Sequence, residues 1–336
     1  MQQILHILLL SLATLPALCM ASSSYNAYNY DMTTPLFTPD GRLLQVEYAS
    51  LAAERSPPLV ALSVTDREEG HAIILAAFRQ PGSSSTAAAA SRQKRIISLP
   101  NCPRIALAMS GVLSDAVDLL SVVRQHVDSW QRTYGVKETA IDNVAGIATV
   151  IGDACQSHAF GGGLRPYGAS FIVCGVNDDG NGLSLSKTDP SGAVVQLQST
   201  AEVDRNKDGR KPYIIFMGND GIQKEKIQRK ISDILGGIED ATIRDSVEAI
   251  IEAMLINDDA TIHNGADSST SGSSIDGEFP KDIQSKHGFP EIVIVSRKGV
   301  QEVDEETLSV LERRIMERSS LTNNDKLIDK TDRAPT

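Results

Sequence analysis

Asp204-Arg205-Asn206-Lys207-Asp208-Gly209 places oxygen-bearing side chains at alternate positions ahead of a glycine, as the first half of a calcium-binding loop does. Such a loop closes on a glutamate at its twelfth position. Here that position is Ile215, inside a strand-like run, so the segment reads as a charged hairpin insertion. Gly161-Gly162-Gly163 has the glycine density of a phosphate cradle, but no Lys-Ser/Thr pair follows, and a linker between a helix and a strand is expected. Cys19, Cys102, Cys155 and Cys174 are far apart, and the six histidines are equally scattered, without an HExxH. Neither a disulfide framework nor a metal site is expected from that usage, and no cofactor motif accompanies it. No GxSxG or Ser/His/Asp grouping offers a serine nucleophile.

The chain has 336 residues, 41% of them hydrophobic and 22% charged, an ordinary balance for a soluble globular protein. Its net charge of −11 and the lack of any long Lys/Arg run argue against a nucleic-acid partner. Ile4 to Cys19 is an apolar stretch, short of the ~20 residues that a membrane span needs, so no membrane partner is expected. Two readings of residues 1–20 stand side by side. Small residues at Ala17, Cys19 and Ala21 suit a cleavable signal peptide, although no Lys or Arg precedes the apolar run; alternatively, translation starts at Met20. In both, residues 1–20 lie outside the fold.

The remaining chain alternates paired strands with paired helices. Thr38-Pro39-Asp40-Gly41 is a turn signal, followed by a short helical run that Pro57-Pro58 stops. Leu59 to Thr65 alternates with Val60, Leu62 and Val64 on one face, and a turn at 66–70 leads into 71–78, giving a hairpin. Residues 95–99 and 104–109 form a second strand pair. Leu113, Ala116, Val117, Leu120, Val123, Val127 and Trp130 recur at helical spacing, and a second helix covers 138–158. Strands are expected at 168–176, 182–188, 193–198 and 213–217, then helices at 220–233 and 240–255. The polar stretch 257–288 reads as a disordered insertion, 291–296 and 300–303 as a last hairpin, 304–318 as a helix and 319–336 as a charged disordered tail. Hairpin connections imply antiparallel sheets, and two sheets covered by helix pairs on their outer faces satisfy the order. The fold class expected is α+β, a four-layer αββα sandwich in one domain over 42–318.

The segment from Tyr30-Asp31 through Thr34-Pro35-Leu36-Phe37-Thr38-Pro39-Asp40-Gly41-Arg42 to Gln45-Val46-Glu47-Tyr48-Ala49 closely resembles the N-terminal signature of proteasome α-type subunits. Met109-Ser110-Gly111, Arg165-Pro166-Tyr167-Gly168, Asp189-Pro190-Ser191-Gly192 and the late Glu291–Val295 strand follow in the family's order, so the likeness spans roughly 30–318. The resemblance implies the αββα Ntn-hydrolase fold. It also implies a place in a seven-membered ring of α-subunits that caps the catalytic β-ring and gates substrate entry for ubiquitin-dependent degradation. The partners implied are other α-subunits, the β-ring, and a regulatory particle or other activator; the compartment implied is cytoplasm and nucleus, or a secretory-route compartment if residues 1–19 are a working signal.

Residues 21–41 then correspond to the gate segment and its turn. The family's gate cluster falls on Tyr30, Asp31, Pro39 and Tyr48, where aromatic stacking on proline and phenol-to-carboxylate hydrogen bonds make a switchable polar cluster. Met32 replaces the arginine usual after Tyr-Asp. The family's pocket lysine, which pairs with the terminal carboxylate of an activator, falls on Arg95, or on Lys94 if the gap shifts. The sister β-subunits use an N-terminal threonine assisted by a lysine in the first hairpin. Thr33-Thr34 looks like such a start, but a turn and a helix follow it and no lysine occurs before Lys94. A non-catalytic ring member is the expectation; the alternative is a threonine hydrolase processed to start at Thr33.

Overall fold

The structure is a computed structural model that describes residues 30, 36–66, 69–77, 94–100, 102–134, 142–161, 164–176, 182–199, 213–218, 222–236, 241–261, 290–315 and 317. At 38–41 the expected turn forms: the Gly41 N–H donates to Thr38 O (2.8 Å) and the Arg42 N–H to Thr38 Oγ1 (3.0 Å). Gly41 takes φ 79°, a conformation open to glycine at little cost. The turn feeds helix α1 (Leu44–Glu54), which buries Val46, Ala49 and Ala53. Pro57-Pro58 cannot continue a helix, and the chain enters strand β1 (Leu59–Asp66).

The order continues β2 (Gly70–Ala77), β3 (Ile96–Leu99), β4 (Cys102–Gly111), α2 (Leu113–Tyr134), α3 (Asp142–Phe160), β5 (Ala169–Val176), β6 (Leu183–Thr188), β7 (Val194–Ser199) and β8 (Tyr213–Met217). It closes with α4 (Ile222–Gly236), α5 (Ile243–Thr261), β9 (Glu291–Ser296), β10 (Gly299–Glu302) and α6 (305–315). One sheet runs β10-β9-β2-β1-β8 and the other β3-β4-β5-β6-β7; all neighbours are antiparallel.

The period-2 alternation of β1 sorts its side chains between two cores. Val60, Leu62 and Val64 pack beneath α4, α5 and α6, with Ile231 and Ile250 among their neighbours. Leu59 and Ala61 turn the other way, into a layer between the sheets with Ile73, Leu75, Ala106, Ala108, Ile172 and Cys174. Small side chains on β4 let the sheets approach closely. On the outer face of the second sheet, Leu107, Met109 and Phe171 pack against Leu119, Leu120 and Ile151 of α2 and α3. The four layers αββα are the architecture the pattern of hairpins and helix pairs predicts.

Three sequence expectations are corrected. On α2 the buried stripe is Ala116, Leu119, Leu120, Val123 and Val127, whereas Val117 and Trp130 are exposed. Val117 sits about 100° around the helix from Ala116, off the core stripe, and Trp130 instead meets Tyr134 edge-on at 6.0 Å. Helix α5 runs to Thr261, past 257, where the polar composition suggested an insertion; the rest of that stretch lies outside the described residues. Strand β4 runs from Cys102 to Gly111, longer at both ends than the spacing predicts. The calcium-like segment 204–209, the leader 1–20 and the tail 319–336 also lie outside the described residues, while Ile215 is a buried β8 residue. Among the described residues, no His/Cys/Asp/Glu group is arranged to hold a metal ion, and no helix is long and apolar enough to cross a membrane.

Candidate functional site

Helix α1 follows the 38–41 turn and carries Tyr48, so its seating positions that candidate residue. It rests on the β4–α2 corner. Gly111 takes φ 104°, and a Cβ there would lie 2.1 Å from Gly168 O and 3.0 Å from the Ala53 Cα. Only glycine permits three backbone segments to approach this closely. The Val112 N–H donates to Gly168 O (2.9 Å), and the Ser110 hydroxyl donates to Ala53 O of α1 (2.8 Å).

Asp115, in the first turn of α2, braces the same corner. Its carboxylate accepts both Arg165 Nη1 and Nη2 at 2.6 Å, and the Gly168 N–H at 2.9 Å. The hydrogen bonds from Arg165 hold the Asp115 carboxyl below its ordinary range, against burial, which pushes it up. Two residues on, Tyr167 donates its hydroxyl to Asp118 Oδ2 (2.5 Å) and stacks on His158 of α3, ring centroids 4.1 Å apart. The Arg165-Pro166-Tyr167-Gly168 run thus ties the α2–α3 layer to the start of β5, directly beside α1.

The entry of β3 divides two neighbouring cations. Lys94 is exposed and forms an ion pair with Glu302 of β10 (2.5 Å). Glu302 is one of four carboxylates, with Glu291, Asp304 and Glu305, that line a cavity of about 230 Å³ alongside Pro290, Ile292, Val303 and Leu308, and Lys94 pairs with it from outside that lining. Arg95 faces the other way. It donates Nε to Met109 O (3.1 Å), Nη1 to Pro57 O (2.9 Å) and Nη2 to Ser56 Oγ (3.0 Å). The buried Glu291 carboxylate accepts the backbone N–H groups of Arg95 (2.8 Å) and Ile96 (3.3 Å). Burial lowers the Arg95 pKa to about 10, and the charge of Glu291 opposes that shift.

Of the residues assigned to the gate, Pro39 is exposed in the turn and Tyr48 is 47% exposed on α1. Tyr30 is half-buried, and Asp31 lies outside the described residues. The turn and α1 are further joined by Arg42, whose Nε donates to Glu47 Oε1 (2.9 Å).

The family pattern for the N-terminal signature of A-type proteasome subunits matches residues 30–50, and the general proteasome subunit pattern matches 68–202. A curated relative, the proteasome alpha subunit of Methanothermobacter thermautotrophicus, is 30% identical over 225 residues, which is 67% of this chain and 85% of the relative. The proteasome alpha 2 subunit of Haloferax volcanii is 28% identical over 282 residues, 84% of this chain and 90% of its own length. The alpha subunit of Methanocaldococcus jannaschii is 32% identical over 172 residues, 51% of this chain and 60% of that protein. The chain belongs to the proteasome α-subunit family.

In this α-subunit the signature match holds Tyr30, Asp31, Pro39 and Tyr48, and the longer match holds Lys94, Arg95, Asp115 and Arg165, whereas Glu291 and Glu302 lie beyond both. Sequence reasoning missed Asp115 and Asp118. An acidic residue in the first turn of a helix is ordinary there because it complements the dipole, so it draws no notice. The available signal was an Asp one residue before Ala116, at the edge of an otherwise apolar stripe, paired with an arginine in a Pro/Gly-rich run. The three described cysteines are buried, and burial raises the thiols of Cys102, Cys155 and Cys174 to about 11, 12 and 12. All three are therefore protonated at neutral pH and serve as packing.

Proposed function

We propose that this α-subunit is a non-catalytic member of the outer ring of a proteasome core, scaffolding the ring and gating substrate entry for ubiquitin-dependent protein degradation. The observation that supports this reading is what precedes the first strand. An N-terminal nucleophile needs a free residue at the head of β1, with a basic group beside it to take its proton. Here Leu59 is acylated by Pro58 and follows a turn and a helix, and the cation bonded at that junction, Arg95, is spent on Pro57 O and Ser56 Oγ. Arginine stays protonated at neutral pH and makes a poor general base.

The relatives' names and the ring they imply point to other α-subunits and a β-ring as partners. Activator docking is assigned to the exposed Lys94, paired with Glu302 of the 290–308 cavity, or to its neighbour Arg95, and gating to Tyr30, Asp31, Pro39 and Tyr48. The cytoplasm and nucleus suit this role, and a secretory-route compartment is the alternative if residues 1–19 act as a signal. Affinity purification of the tagged chain followed by native mass spectrometry tests the reading. Recovery of a stack containing other α and β subunits supports it. A lone chain with a mature N-terminus at Thr33 and peptide turnover abolished by Thr33→Ala would support the threonine-hydrolase alternative instead.

A further inference from the structure

We infer that Arg95 is a positioning residue for helix α1: a half-buried guanidinium that clamps the α1–β1 connection onto the second sheet and so fixes the seating of the helix that follows the proposed gate segment. The inference rests on the gating reading above only for its last clause; the clamp itself is a matter of geometry.

Three donors of one planar group reach three acceptors on two separate pieces of chain. Pro57 O and Ser56 Oγ belong to the connection that leaves α1, and Met109 O belongs to β4. Gly218, at φ 72°, also approaches this connection: a Cβ there would lie 2.6 Å from both Ser56 O and Pro57 O. A side chain at 218 would therefore collide with the connection that the Arg95 fork holds. Proline suits this place doubly, since Pro57 and Pro58 have no N–H to leave unpaired.

The fork geometry matters. A guanidinium presents several fixed donors in one plane, whereas an ammonium is a single point of attachment. Lysine at 95 would satisfy one or two of these acceptors and leave the connection free to pivot. The charge is supported from behind by Glu291, whose carboxylate holds the backbone of Arg95 and Ile96 in place. Because Glu291 also lines the cavity, the clamp and the cavity share a wall.

The test uses assembled particles containing wild type, Arg95→Gln or Arg95→Lys. Hydrogen exchange of the α1 amides (44–54) is followed by mass spectrometry, with β4 and β5 as internal references. The expected result is exchange of α1 about tenfold faster in Arg95→Gln, the scale of losing one charge-assisted hydrogen bond from a local opening, an intermediate value in Arg95→Lys, and unchanged β4 and β5. Exchange of α1 at the wild-type rate in both variants overturns the clamp. If Arg95→Gln does not assemble, Arg95→Lys and Ser56→Ala, which each remove only part of the fork's bonding, carry the same measurement. Activator-free peptide hydrolysis is read on the same particles beside a deletion of residues 20–29. Faster hydrolysis in both the deletion and Arg95→Gln supports the full chain from clamp to gate. Faster hydrolysis in the deletion alone overturns the link to the gate. If the deletion is silent, the gating reading fails, and the exchange data still decide the clamp.

Discussion

Asp115 meets Arg165 edge to edge, its Oδ1 2.6 Å from Nη2 and its Oδ2 2.6 Å from Nη1, with the carboxylate buried and the arginine side chain 67% exposed. The asymmetry sets which partner is costlier to lose. Asp115→Ala removes two charge-assisted bonds and orphans the Gly168 N–H at a packed corner, and is expected to lower stability by about 3 kcal/mol. Arg165→Ala leaves the carboxylate its Gly168 bond and lets water reach the site, so about 1.5 kcal/mol is expected. Urea denaturation of both variants checks the order; equal losses would show that the exposed arginine carries more than its half of the bond.

The same pair gives a pH signature. Arg165 depresses the folded-state pKa of Asp115. A depressed carboxyl contributes stability that is complete above the unfolded value, about 4, and is lost as pH falls through the lower folded value. The stability gap between wild type and Asp115→Asn should therefore hold steady from pH 7 to about 4 and shrink below that. A gap that stays constant down to about pH 2 would mean that the carboxylate's charge contributes nothing.

At Gly111 the prediction is steric. Alanine there must place a Cβ 2.1 Å from Gly168 O at φ 104°. The strain of that conformation is about 1–3 kcal/mol, and the clash adds to it by pushing α1 off Ser110 and Gly168. Gly111→Ala is expected to be the most destabilising single methyl addition among the β4 residues, whereas Gly146→Ala, with open space around it on α3, should be neutral to stabilising. Thermal unfolding of the two variants side by side tells them apart.

Lys94 is the solvent-facing cation of the β3 entry. Lys94→Ala is expected to weaken docking of an activator's C-terminal carboxylate by about 1.5–3 kcal/mol, the range for a charge-assisted hydrogen bond. Its exposed pair with Glu302 is worth at most about 1 kcal/mol, so folding should be little changed. Glu302→Ala releases Lys94 from its partner and should leave docking equal or tighter. Titration of a labelled C-terminal tail peptide against assembled particles measures both, and unchanged affinity in Lys94→Ala removes this residue from the docking site.

Much of the fold is legible because hairpins announce themselves. The alternation of Leu59 to Thr65 and the turn at 66–70 place the register that pairs Thr65 with His71, and the strand predicted at 213–217 is β8 to the residue. The site was less legible, for a physical reason. Neighbouring residues on an extended chain point to opposite sides, so of Lys94 and Arg95 one faces in and one faces out. Which one does so is decided by how the start of β3 meets the Ser56-Pro57 connection and Glu291, and nothing local encodes that. The carboxylate that supports the inward cation, Glu291, lies far along the chain, and its role appears only once β9 and β3 are brought together. Gly111 and Gly168 were visible as family-like glycines, yet the reason for them, a mutual backbone approach beside Ala53, exists only in three dimensions.

The N-terminal segment makes the last prediction. Residues 21–29 carry no charge and little bulk beyond two tyrosines, so by themselves they bury too little to fold. In the proposed gate, any order they gain comes from an anchor at Tyr30 and from neighbouring subunits. The proposed gate assigns Tyr48 to that anchor; the side chain is about half exposed, on a helix whose Ala53 carbonyl accepts the Ser110 hydroxyl. Deleting residues 20–29, or changing Tyr48→Ala, should therefore loosen a closed gate while leaving the sandwich folded, because Tyr48 contributes little to the core. Assembled particles carrying either change are expected to hydrolyse short peptides faster without activator, with assembly unchanged on native gels at matched concentration. Tyr48→Phe separates the two parts of the anchor: stacking survives and the hydroxyl is lost, so a rate between wild type and Tyr48→Ala assigns part of the closure to the phenol hydrogen bond. Basal hydrolysis at the wild-type rate in all three would mean that this tail does not occlude the pore and that Tyr30 and Tyr48 anchor the chain end to the surface alone.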